Sequence, residues 1–406
     1  MQSSRRKILF LLFTKLAELQ SKKEARRSLA LEIQEEIIAR VTRAESSIRA
    51  QRRRISAGKS SLSVAGKSRA QAQAIKNEIQ RAEHTAEAHK LFIEILKTIG
   101  DSIAFIYADR FDLKPFAFKQ SSGFLSGKKG ARLERKILRK AFEWGAVAVL
   151  NDITHTLRYA DITVFRPDGK FFLIEAKSGR GGDRSRQKRQ QAAAETMASY
   201  LETDQRSDGD QEWCRVGTVT ELEDHAASVR KLVRCISKVG SCVEEVEPGL
   251  YYVLIDCAAD VVDFKSLFGQ FSGRKMMLLP VNELKHARLG YQPFPVTFHD
   301  PEITTRFFSG DFVMNVLLDL DAVNRALAAQ ALMVVPMDDE IMCWQVVETS
   351  SDSPLGLRGR KLLVSRHAIG RLAAEFIRLD WLLANMIASH VTDYVDAFPP
   401  TNATSA

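Results

Sequence analysis

Proline and glycine are both missing between Lys7 and Ile55, cysteine is missing from the whole first half of the chain, and no apolar run is long. The first absence removes the two residues that most readily break a helix from a stretch dense in Ala, Leu, Glu, Gln, Lys and Arg, so one long helix is expected there. The second bears on chemistry. Five cysteines (Cys214, Cys235, Cys242, Cys257 and Cys343) are odd in number and widely spaced, which argues against a disulfide framework. Cys235 and Cys242 have no second Cys/His pair at finger-like spacing, so a zinc finger is not indicated; buried small hydrophobes in a reducing cytoplasm are expected instead. The run Ile8 to Phe13 follows Arg5, Arg6 and Lys7, but leads into Lys15, Glu18 and Lys22 without a cleavage-like site. It reads as the start of an amphipathic helix, and no stretch reaches the roughly 18 apolar residues that span a bilayer.

What is present is the composition of a folded protein, since 45% hydrophobic and 27% charged residues exclude a disordered chain. At 406 residues it exceeds one core, so two or three domains are expected. The net charge of +9 is uneven: residues 1–100 carry +11, residues 101–200 carry +8 and the remainder −10. A polyanion is therefore expected against the first half, although for residues 1–100 a solvated helical surface is the better account of the charge. Leu29, Leu31, Ile33, Ile37, Ile38 and Val41 form a stripe that needs a partner helix. Ser56 to Ser68 is small and polar, a turn, and a second helix is expected from Arg69 to Ile99. Residues 1–100 thus read as a helical hairpin or coiled-coil arm, an interaction element that could join copies of the chain into a homo-oligomer.

Aromatic residues enter after Gly100, marking the start of a globular domain over residues 101–260. A helix is expected from Ala131 to Trp144, with Leu133, Ile137, Ala141 and Trp144 on its buried face. Strands are expected at Ala146 to Leu150, Asp161 to Phe165 and Phe171 to Lys177, the last two joined through the turn signal Pro167-Asp168-Gly169. A helix from Arg184 to Leu201 and a strand from Gly249 to Cys257 follow. Antiparallel pairing around the turn sets Asp161 beside Glu175, while Lys177 shares a strand face with Glu175. Phe171 to Ile174 are all apolar, so that strand is expected to be covered on both faces. Two carboxylates and an ammonium at one sheet end supply hard oxygen ligands for a divalent cation and a cation to orient water.

Asp161 followed by Glu175-Ala176-Lys177 resembles the D…(E/D)xK signature of the PD-(D/E)XK nuclease superfamily, the restriction-endonuclease-like fold. Ala160 stands where the name-giving proline would be. The resemblance spans about residues 125–260 and implies an α/β αβββαβ core in which Asp161 and Glu175 bind Mg²⁺ or Mn²⁺ and Lys177 positions the attacking water. It also implies an acidic ligand on the preceding helix, here Glu134, and an accessory glutamine on the following one, where Gln187, Gln190 and Gln191 are available. Lys128, Lys129, Arg132, Arg180, Arg184, Arg186 and Lys188 flank the same carboxylates and are expected to contact phosphates.

The expectation is a metal-dependent deoxyribonuclease, with RNA in place of DNA as an alternative substrate and use in anti-phage defence or genome maintenance by family analogy. The alternative is a nucleic-acid-binding or assembly protein that keeps the fold without the chemistry. Residues 261–406, with strands at Met276 to Pro280, Ile341 to Val347 and Lys361 to Val364 and a helix from His367 to Val391, read as an α+β domain without a recognisable motif. The segment Phe398 to Ala406 reads as a disordered tail.

Overall fold

The computed structural model describes residues 3–64, 66–113, 124–128, 130–157, 160–166, 171–176, 192, 199, 205–208, 211–214, 220–285, 291–339, 342–350, 353 and 362–397. The chain forms two compact units, Met1–Ala198 with Arg288–Pro301, and Ser199–Ala287 with Glu302–Ala406. Both are mixtures of helices and antiparallel sheet. No helix among the described residues is long and apolar enough to cross a membrane. The expected boundaries at residues 100 and 260 do not coincide with this division, because the N-terminal helices and the first sheet share one unit.

The first unit begins with α1 (Ser3–Ser21), α2 (Arg27–Leu62) and α3 (Arg69–Tyr107). The single helix expected over 7–55 is interrupted at residues 22–26, which are all exposed and rich in charge. Nothing there is worth burying, whereas Leu9, Leu12, Phe13, Leu16 and Leu19 of α1 are buried. The break lets α1 fold back along α2, where Lys15 pairs with Glu32 at 2.5 Å. Ile33, Ile37, Ile38 and Val41 are buried within the chain. The stripe that called for a partner helix therefore has one in α3, without a second copy. Ser68 opens α3 with a capping box, accepting from the Gln71 backbone N–H while the Gln71 side chain accepts from its own.

The second helix does not stop at Ile99. It runs to Tyr107, and every residue from Ile95 to Phe105 is buried, the mark of a central helix packed all round. Gly100 belongs there for close approach and not for termination. A Cβ at this position would lie 2.1 Å from the Ile153 carbonyl oxygen, so only glycine lets the helix seat against the turn at 151–153.

After α4 (Arg110–Leu113), α5 (Ala131–Glu143) leads into β1 (Val147–Leu150), β2 (Ile162–Phe165) and β3 (Phe171–Ile174). These three strands form one antiparallel sheet in the order β1-β2-β3. A 3₁₀ turn, Asn151–Ile153, follows β1. The buried residues of α5 are Glu134, Leu138 and Ala141; of the expected face Ala141 is buried, Leu133 and Ile137 are half-buried and Trp144 is 77% exposed. A carboxylate thus takes the most buried position of the first turn. β3 is also not covered on both faces, since Phe172 is 49% exposed and no further strand pairs with β3 among the described residues.

The second unit contains the hairpin β4 (Gln205–Asp208) and β5 (Gln211–Cys214), and the four-stranded sheet β6-β7-β9-β8. That sheet is built from β6 (Ser241–Glu247), β7 (Leu250–Asp256), β8 (Met276–Pro280) and β9 (Phe312–Asp319), with α6 (Ala226–Val239) packed on β6 and β7. The strand expected to complete the αβββαβ core is β7. It pairs instead with β6 and β9, in a separate sheet of the other unit. A third sheet joins β10 (Leu332–Pro336), β11 (Met342–Glu348) and β12 (Leu362–Ser365).

The helix expected over 367–391 is two helices, Arg366–Ala374 and Leu379–Ala397. Between them Phe376 adopts a φ of +55° and its carbonyl accepts from the His225 N–H at 2.7 Å, so strand-like pairing with 223–225 interrupts the helix. Cys343 is buried, but Cys235 and Cys257 are exposed, against the expectation of buried thiols. The expected tail at 398–406 lies outside the described residues.

Candidate active site

The mouth of the β2–β3 hairpin is set by register. Ile162 pairs with Ile174 and Phe165 with Phe171, and the Asp161 N–H donates to the Ile174 carbonyl at 3.1 Å. Asp161 and Glu175 therefore stand at the next opposed positions, as expected. Asp161 Oδ2 accepts from the Ala176 backbone N–H at 2.9 Å, which fixes the carboxylate against the end of β3. Glu175 is exposed. The turn expected at 167–169 and Lys177, the third member of the expected trio, lie outside the described residues.

Three carboxylates converge on one ammonium. Lys128 Nζ donates to Asp152 Oδ2 at 2.8 Å and to Asp161 Oδ1 at 3.0 Å, and lies 2.9 Å from Glu134 Oε1. Each comes from a different local structure: Lys128 from the loop before α5, Glu134 from the first turn of α5, Asp152 from the 3₁₀ turn and Asp161 from the approach to β2. Glu134 is only 2% exposed, and its second oxygen, Oε2, is buried without a hydrogen-bond partner among the described residues. Burial pushes the Glu134 carboxyl up from its ordinary value; Lys128 opposes this, and the charges of Asp161 and Asp152 add to it. Burial works against the Lys128 charge, but its hydrogen bonds to Asp152 and Glu134 and the nearby charge of Asp161 outweigh it and raise its pKa. A Cβ at Gly130 would come within 2.8 Å of Glu134 Oε1, so the residue beginning this helix leaves room for the carboxylate.

Buried polar side chains of the N-terminal helices hold these pieces in place. Gln34 of α2 donates to the Ala148 carbonyl at 2.8 Å and accepts from the Leu150 N–H at 3.0 Å, standing in for a neighbouring strand along β1. Asp101 of α3 is fully buried and accepts from the backbone N–H groups of His155 and Thr156, at 2.9 and 2.8 Å in its shortest bonds. Glu45 of α2 accepts from the Leu125 and Ser126 N–H groups at 2.8 and 2.7 Å, clamping the loop that carries Lys128. On the same loop Phe124, 38% exposed, lies under the guanidinium groups of Arg49 and Arg52, 5.6 and 5.4 Å from its ring centre.

Of the residues expected in the site, the structure brings together Asp161, Glu134 and Lys128. Lys128 was expected to meet phosphate, yet its ammonium is taken up by the carboxylates. Arg132 is exposed on α5. Lys129, Arg180, Arg184, Arg186, Gln187, Lys188, Gln190 and Gln191 lie outside the described residues. Asp152 was missed, though a signal existed: β1 and β2 pair Leu150 with Ile162, so the residues just beyond β1 sit beside Asp161. Arg49, Arg52 and Phe124 lie outside the expected set, because in the sequence the arginines look like the solvated face of an arm.

Hard carboxylate oxygens, one of them buried and without a partner, fit a divalent cation in donor chemistry. Among the described residues no group of three or more His, Cys, Asp or Glu side chains is arranged to hold a metal ion; the carboxylates close on Lys128 instead. No protein-family model matches the chain, and neither a curated protein nor a solved structure does.

Proposed function

We propose that the chain is a divalent-metal-dependent nuclease that hydrolyses DNA phosphodiester bonds at the mouth of the β2–β3 hairpin. The observation that carries this reading is the buried, unpartnered Glu134 Oε2 beside Asp161. A buried carboxylate oxygen left without a donor is costly, and a metal ion is the partner that suits it. Asp161, Glu134 and Glu175 would hold Mg²⁺ or Mn²⁺, with Asp152 added from the 3₁₀ turn. When bound, the cation supplies charge stabilisation to the attacked phosphate and makes water easier to deprotonate. The Ala176 N–H fixes one Asp161 oxygen, leaving the other directed into the cluster. Lys177, following on the chain, would orient the attacking water. The clamped loop offers Phe124 with Arg49 and Arg52 over its ring, a combination of aromatic ring and cations suited to an unstacked base and its phosphate.

Cleavage of supercoiled, linear and single-stranded DNA, and of RNA, tests the proposal with and without Mg²⁺. The wild type should cut only with metal. Asp161→Asn and Lys177→Ala should each lose about 100-fold or more, the scale of removing a general catalytic group. Cutting by Asp161→Asn at the wild-type rate would place the chemistry elsewhere.

A second reading has its own observation. The three carboxylates already share the Lys128 ammonium, so the cluster can hold the sheet end together without taking part in cleavage. Nucleic-acid binding that is indifferent to metal and to Asp161→Asn, with no cleavage of any substrate, would favour it.

A further inference from the structure

We propose that Lys128 is a built-in occupant of the metal position: its ammonium holds Glu134, Asp152 and Asp161 together in the metal-free protein and is displaced from them when a divalent cation binds. This rests on the metal-dependent reading above and goes beyond it by assigning Lys128 a role opposite to phosphate binding. The geometry is that of a cation site filled by the protein itself. One ammonium stands 2.8–3.0 Å from oxygens of three carboxylates drawn from three separate stretches of chain. Without it, three negative groups, one of them buried, would face each other across a few ångströms.

The fit is incomplete, and this points to a second occupant. Glu134 Oε2 remains buried and without a partner while Lys128 engages Oε1. A divalent ion, with twice the charge and more coordination positions, can take both oxygens where an ammonium with three donors is already committed to three residues. Displacement requires only the side chain to move. The Lys128 ammonium is held by side chains, whereas the loop backbone at Leu125 and Ser126 is fixed by Glu45 on the other side. The lysine side chain is about a third exposed, so it has solvent to swing into. The consequence is competition: the protein's own cation sets a threshold that metal must exceed.

Calorimetric titration of the full chain with Mn²⁺ and with Mg²⁺ reads this directly. Lys128→Met should bind Mn²⁺ about tenfold more tightly than wild type or better, because no internal cation has to leave. In EDTA the same variant should melt below wild type, and saturating Mn²⁺ should recover most of the difference. Lys128→Gln, which keeps a hydrogen-bond donor without the charge, should fold where Met does not and should show the same gain in affinity. A measurement on the unaltered protein stands beside these. Acetylation of lysines by acetic anhydride, read by mass spectrometry, should label Lys128 slowly in EDTA and several-fold faster in Mn²⁺, with Lys140 unchanged.

Equal or weaker metal binding by Lys128→Gln, or metal binding by the wild type without any rise in Lys128 labelling, overturns the inference while leaving the nuclease reading standing. Tighter binding in the variant with no cleavage of any nucleic acid supports the inference and removes the nuclease. No metal binding by either protein overturns both.

Discussion

At the scale of single residues, the positions that matter most are those whose identity looks ordinary in the sequence. Gly100 reads as the end of a helix and is the middle of one. Two effects of Gly100→Ala oppose each other. Alanine in a helix interior gains up to about 1 kcal/mol in propensity. The new methyl would meet the Ile153 carbonyl at 2.1 Å, a backbone group that can yield only by shifting the turn that carries Asp152. Overpacking of this kind costs about 1–3 kcal/mol or more. The steric term wins, and Gly100→Ala should lower the urea midpoint of the protein. A rise in the midpoint would mean that helix and turn are not seated as described. Asp101 follows the same logic. A buried carboxylate mid-helix is unreadable from sequence because its partners are backbone N–H groups more than fifty positions away.

At the scale of elements, what was legible is what local pattern determines. The hairpin, its register and the opposition of Asp161 to Glu175 follow from a turn signal flanked by apolar runs. The strand at Met276–Pro280 matches its expected span for the same reason. Where pattern and burial disagree, a distant partner decides. Glu134 takes the most buried position in the first turn of α5 because it has Lys128 to meet, and α1 separates from α2 because its apolar face has a place to fold back to.

Gln34 shows how the helices and sheet come to share one unit. Its amide satisfies both Ala148 and Leu150 on the outer side of β1, the edge of its sheet. Gln34→Leu keeps the bulk and removes both bonds, leaving a buried carbonyl and a buried N–H without partners. Each orphaned group costs about 1–3 kcal/mol, so a loss of about 2–6 kcal/mol in denaturant unfolding is expected. If α2 were only an arm, the exchange of Gln34 for leucine would be neutral or stabilising, and that sign is what the measurement decides.

At the scale of the whole molecule, the division of the chain was the least legible feature, because the first unit takes in residues 288–301 from the acidic C-terminal half. Nothing in the local composition of that segment assigns it. Its partners do: Gln292 accepts from Thr98 Oγ1 at 2.9 Å, the Gln20 amide donates to the Val296 carbonyl at 3.0 Å, and Tyr291 packs edge-to-face with Phe105. Phe294 and Phe298 are fully buried. Removing one such ring costs about 3–5 kcal/mol, so losing both approaches the 5–15 kcal/mol by which a domain is stable at all. A fragment of residues 1–198 contains every candidate site residue and lacks both rings. It should fail to melt cooperatively, and a peptide of residues 288–301 added in trans should restore a transition. A fragment that melts as sharply and as high as the full chain would show instead that the segment is an accessory to a core complete without it, and that the site can be studied on the first half alone.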